Sequence, residues 1–84
     1  MRYLISYELN SRGRTYTQLT DALWSAGGQR ILSSQWIMRK TSTNATTLRD
    51  YFWQFMDQKD RLLVASIDGN DWACIGLMVD LNTV

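Results

Sequence analysis

The chain has no histidine, no proline and a single cysteine among its 84 residues. Each absence excludes a class of chemistry. Without histidine there is no imidazole general base, no Ser-His or Cys-His pair, and none of the commonest zinc ligand. Cys74, standing alone, can neither close an intrachain disulfide nor build a thiolate metal cluster. Long hydrophobic runs are missing too. No signal-peptide core follows the N-terminus, and no apolar stretch approaches the ~20 residues that a membrane span needs. A cytoplasmic protein without membrane contact is therefore expected. No repeat, low-complexity tract or linker interrupts the chain, so residues 1–84 read as one domain. A domain of this size hides only roughly 60% of the surface its unfolded chain exposes, and self-association is a plausible route to burying more.

Aromatic side chains, by contrast, are plentiful: four Trp, four Tyr and two Phe. A few large rings suffice for a small core, which leaves others for an interface. The net charge of +1 by itself argues for no nucleic-acid, membrane or acidic partner, but its distribution is uneven. Residues 1–40 carry six cationic side chains against Glu8 and Asp21, a balance of +4. Residues 41–84 carry Arg49, Lys59 and Arg61 against six aspartates, a balance of −3. Such polarity suits a basic face for phosphates, head-to-tail self-packing, or plain scatter over a solvated surface.

Six elements are legible. Residues 2–9 alternate, with Tyr3, Ile5, Tyr7 and Leu9 on one face and Arg2, Leu4, Ser6 and Glu8 on the other, as in a strand with one apolar and one mixed face. Asn10-Ser11-Arg12-Gly13 reads as a loop. Thr15 followed three residues later by Gln18 fits a capping box, and Tyr16, Leu19, Thr20, Leu23 and Ala26 continue at helical spacing to a Gly27-Gly28 stop. Residues 30–40 read as one strand bulged near Ser33-Ser34. Asn44 is the expected N-cap of a second helix carrying Leu48, Tyr51, Phe52 and Phe55. Residues 61–67 form a third strand, Asp68-Gly69-Asn70-Asp71 signals a hairpin, and residues 72–78 form a fourth strand. The tail, residues 79–84, carries no assignment.

An α+β, ferredoxin-like βαββαβ fold is expected, although the six elements as bounded here run βαβαββ. Two helices on one face of a four-stranded antiparallel sheet is the economical way to bury both helical stripes. The other face, with Leu4, Ser6 and Glu8, must then be solvated or meet a partner, and a partner is expected.

Glu8 is the first candidate for chemistry. At the end of the first strand, beside a loop with Arg12 and Arg14, its carboxylate suits Mg²⁺, which takes oxygen ligands and keeps several waters. Arg12 and Arg14 can then pair with phosphates. One carboxylate is a poor metal site, whereas two related by a dimer axis make a reasonable one. The competing reading is a surface Glu paired with a nearby Arg. Ser34, with no histidine to activate it, is a poor nucleophile and better suited to hydrogen bonding toward phosphate, a metal-bound water or Glu8. Trp24 and Trp53 lie off their helical stripes, where a ring packs at a sheet edge, anchors an interface or stacks on a base. Turn chemistry accounts for Asp68 and Asp71.

The stretch Tyr3-Leu4-Ile5-Ser6-Tyr7-Glu8-Leu9-Asn10, the segment Ser34-Gln35-Trp36-Ile37, and Leu62-Leu63-Val64 ahead of Trp72-Ala73 resemble the SinR-like small proteins. Those in turn are similar to the CRISPR adaptation subunit, the second Cas protein, and to virulence-associated protein D. The resemblance spans residues 2–78. It implies a ferredoxin-like protomer, a homodimer and association with RNA or DNA. In the wider family an Asp after an aromatic at the end of the first strand is proposed to bind Mg²⁺ for phosphodiester hydrolysis. The matching position holds Glu8, after Tyr7, and the family's second-strand Ser matches Ser34. The longer Glu side chain departs from the family's pattern. Three functions are thus expected to compete: a homodimeric nucleic-acid-associated protein with a structural or adaptor role, a Mg²⁺-dependent endonuclease using Glu8 and Ser34, and a protein-interaction module of a two-component pair.

Overall fold

In the computed structural model, which describes residues 1–11, 15–69, 71 and 73–78, the chain forms an α+β, ferredoxin-like fold. In chain order the elements are β1 (Arg2–Glu8), α1 (Thr17–Ser25), β2 (Gln29–Leu32), β3 (Gln35–Arg39), α2 (Ala45–Trp53) and β4 (Arg61–Ser66). The four strands make one antiparallel sheet in the order β2-β3-β1-β4.

Alternation in β1 does what the sequence requires. Tyr3, Ile5 and Tyr7 point into the main core, where Leu19, Ala22 and Leu23 of α1 and Leu48 and Phe52 of α2 meet them. Both helices therefore cover one face. Leu9 lies beyond the strand and is exposed. Period-two patterning makes one face of a strand apolar and leaves the other free to be polar.

The structure has the βαββαβ order, whereas the elements bounded from the sequence run βαβαββ: two strands, not one, lie between the helices, and one, not two, follows the second. Residues 30–40 are a tight hairpin, β2 and β3, reversing at Ser33-Ser34 with a register shift between Arg30 and Leu32. The apolar run Trp36-Ile37-Met38 hid the reversal, because β3 is central and buried on both faces, so it shows no alternation. The segment 61–67 is accordingly the fourth strand, at the sheet edge. Residues 73–78 form no strand, and Asp68 accepts a hydrogen bond from the Arg2 backbone N–H (2.8 Å). The expected hairpin at residues 68–71 and the tail lie partly or wholly outside the described residues.

The second sheet face is not left wholly to a partner. Ile31 and Ile37 are buried there, with Leu4, Ile67 and Leu77 packed against them. The Met78 backbone N–H donates to the Ile31 carbonyl (2.9 Å), which ties the 73–78 segment over the β2–β3 half. Over the β1–β4 half Leu63 stays well exposed.

The helix ends are fixed by local chemistry. Asn44 caps α2, its side-chain oxygen accepting from the Thr47 N–H (2.8 Å). Helix α1 has no side-chain cap. Tyr16 occupies the cap position, and the expected Thr15 capping box is not formed. At the other end of α1, Gly27 has φ +84° and a Cβ on Gly28 would lie 2.7 Å from the Leu23 carbonyl oxygen and 3.1 Å from the Trp36 ring. Only glycine fits this left-handed, tightly packed exit.

Candidate functional site

Where β1 stops and the β2–β3 hairpin turns, the sheet end and α1 enclose a cleft of about 670 Å³. The Tyr7 N–H donates to the Ser34 carbonyl (3.1 Å), extending the β1–β3 ladder by one bond and fixing the hairpin against β1. Glu8 and Ser34, singled out from sequence on separate elements, therefore line one cleft, and Asp21 and Arg30 join them. Arg12 and Arg14 lie outside the described residues.

Glu8 is exposed, and its carboxylate lies 3.4 Å from the Arg61 guanidinium, its partner in the β1–β4 register. An exposed pair of this kind contributes less than ~1 kcal/mol. Glu8→Gln is accordingly expected to leave the urea unfolding midpoint nearly unchanged. A large shift would mean that Glu8 has a structural role beyond the pair.

Among the described residues, no group of three or more His, Cys, Asp or Glu is placed to hold a metal ion. The cleft does offer oxygen donors of the kind Mg²⁺ takes, in the carboxylates of Glu8 and Asp21 and the hydroxyl of Ser34. One or two carboxylates plus substrate phosphates are a usual Mg²⁺ set, so the donors fit in kind, with Arg61 competing for Glu8.

Arg30 lines the other wall, backed by Trp36, which is fully buried in β3. Its indole N–H donates to the Tyr7 hydroxyl (3.1 Å), and Trp24 of α1 packs edge-on against it with ring centroids 4.9 Å apart. The Arg30 guanidinium lies over the Trp36 ring, 5.3 Å from its centroid. Its Nε and Nη2 both donate to the Ser33 carbonyl, at 3.1 and 2.6 Å. Arg30 is thus held as a fixed cation on the cleft wall. Sequence reasoning missed it because an isolated Arg at the start of a strand gives no signal; only the hairpin places it cross-strand from Trp36.

Asp60 was missed as well, and it anchors the cleft rim. It is the buried acidic residue among those described, 6% exposed. Its carboxylate accepts from the backbone N–H groups of Asn10 and Asp57, both at 2.7 Å, and from the Tyr16 hydroxyl at 2.8–2.9 Å. One side chain thereby ties the β1–α1 loop, the start of α1 and the α2–β4 loop together. The available signal was Asp57-Gln58-Lys59-Asp60, a polar turn whose Asx side chains bond to nearby backbone.

No protein-family model matches the chain, and comparison with curated proteins gives no significant relative.

Proposed function

We propose that the protein is a homodimeric nucleic-acid-associated protein with a structural or adaptor role, similar to the CRISPR adaptation subunit. The observation that carries the reading is the cleft wall. A cation fixed over an indole ring, beside a half-exposed Trp, combines the two features that bind phosphates and bases. Engagement of Glu8 by Arg61 favours binding over cleavage. Self-association is supported by apolar side chains left exposed on and beside the second sheet face, among them Leu63, Ile75 and Met78. No helix among the described residues is long and apolar enough to cross a membrane.

The second reading, a Mg²⁺-dependent endonuclease, is favoured by one observation, the meeting of Glu8 and Ser34 in the same cleft. Mg²⁺ supplies charge neutralisation and a more acidic bound water. Glu8 and Asp21 would hold it, and the Ser34 hydroxyl would donate a hydrogen bond to the phosphate.

Labelled single-stranded RNA and double-stranded DNA incubated with wild type and Glu8→Gln, with Mg²⁺ or chelator, separate the two. The adaptor reading expects retarded but uncut substrate from a sample that light scattering shows to be dimeric. Cutting that requires both Mg²⁺ and Glu8 would replace it with the nuclease reading.

A further inference from the structure

Four residues of α1 fall at i, i+3, i+4 and i+7: Thr17, Thr20, Asp21 and Trp24. Residues so spaced share one helical face, and they span two turns, about 10.5 Å. The first three line the cleft, and Trp24, one turn further along the same stripe, lies beside the cleft and is not one of its lining residues. Trp24 is 54% exposed although one edge is packed on Trp36. Arg30 reaches the same region from β2, lying over the Trp36 ring that Trp24 touches.

The Trp24 indole is held in position by a second, buried Trp. Arg30 likewise is immobilised before any ligand arrives, so little side-chain entropy is lost when it pairs with an anion. Hydroxyl groups of Thr17, Thr20, Ser33 and Ser34 line the space between. The carboxylate of Asp21, one turn before Trp24, only accepts hydrogen bonds. It is unsuited to a phosphate and suited to an exocyclic amino group or a sugar hydroxyl.

We infer that this cleft and the Trp24 ring beside it take an unpaired nucleotide of a single-stranded nucleic acid, with its phosphate on Arg30, a base or sugar donor on Asp21 and its base stacked on Trp24. The inference rests on the nucleic-acid reading above and narrows it to single strands. In a duplex the base faces are occupied by their neighbours, so Trp24 would have no ring to stack on.

The test is fluorescence anisotropy with a labelled 12-nucleotide single strand and the matching duplex, on wild type, Trp24→Phe, Trp24→Ala and Arg30→Gln, each checked for folding by thermal melting. Single-strand affinity is expected to fall about tenfold or more in Trp24→Ala and to stay within about threefold of wild type in Trp24→Phe, which retains a stacking ring. Arg30→Gln should make the slope of log K against log salt shallower by about 0.7, the signature of one lost phosphate contact on a single strand. Binding of the duplex should be weaker and indifferent to Trp24. Should both substrates bind equally, with Trp24→Ala unchanged, the single-strand site is overturned while nucleic-acid association stands. Absence of any binding by folded wild type at low salt overturns both. If Trp24→Ala does not fold, Trp24→Leu, which keeps an apolar side chain but no ring, is the deciding variant, with the same tenfold loss expected.

Discussion

Replacing Trp36 by alanine is expected to destabilise the protein by about 3–5 kcal/mol, the usual cost of emptying a fully buried Trp position. A domain of 84 residues has only about 4–13 kcal/mol in total, at the common value per residue. The variant should therefore lose about a quarter of its stability or more, with a clearly lowered urea midpoint. The expectation follows from what converges on the ring. Trp36 is 0% exposed in the central part of the sheet. It donates to the Tyr7 hydroxyl and receives the edge of Trp24, the Arg30 guanidinium and the close approach of Gly28. Alanine leaves a cavity, strands a buried hydroxyl and removes the platform under Arg30. Trp36→Phe keeps most of the volume and should lose much less. An alanine variant within about 1 kcal/mol of wild type would show that the sheet and α1 repack freely, contrary to the tight approach at Gly28.

Asp60→Ala is expected to cost about 2–4 kcal/mol, because it removes a buried anionic acceptor from two backbone N–H groups and one hydroxyl. The loss should be local in its dynamics. Hydrogen exchange at the Asn10 and Asp57 amides should accelerate well beyond what global destabilisation explains, while amides in the β1–β3 ladder follow global stability. Asp60→Asn retains one acceptor oxygen and should fall between wild type and alanine. Tyr16, which lines the cleft, loses its anchor in the alanine variant, so ligand affinity should weaken as well. Unchanged exchange at both amides would mean that water replaces the carboxylate without cost.

These two residues also show where the sequence is readable and where it is not. The β1 alternation, the Asn44 cap and the Gly27-Gly28 stop are local signals, and the structure has all of them. Of the helical stripes it buries Leu19 and Leu23 in α1 and Leu48 and Phe52 in α2, while Tyr51 is exposed and Phe55 lies beyond the helix. These signals suffice for the α+β class, whereas the βαββαβ order needs the reversal at Ser33-Ser34. In the sequence the Ser33-Ser34 reversal resembles a bulge, because Trp36-Ile37-Met38 is apolar without alternation and serine at a turn is weaker punctuation than glycine or asparagine. The Asp68-Gly69 signal suggested a further hairpin, but Asp68 is spent on Arg2, 66 residues earlier, and such a partner has no local trace. The same limit applies to the site. Glu8 and Ser34 were identifiable one at a time. Their meeting in one cleft, and the roles of Arg30 and Asp60, depend on cross-strand and loop-to-loop contacts separated by many residues.

The central claim is that this fold presents a phosphate- and base-binding cleft. It is tested most directly by titrating a labelled single-stranded RNA with the wild-type protein at several salt concentrations. Binding that is measurable at roughly 50 mM salt and weakens along a log–log slope of about −1.4 to −2.8, as about two to four phosphate contacts require, is the expected result. No binding by a folded sample at low salt, or binding indifferent to salt, would contradict it.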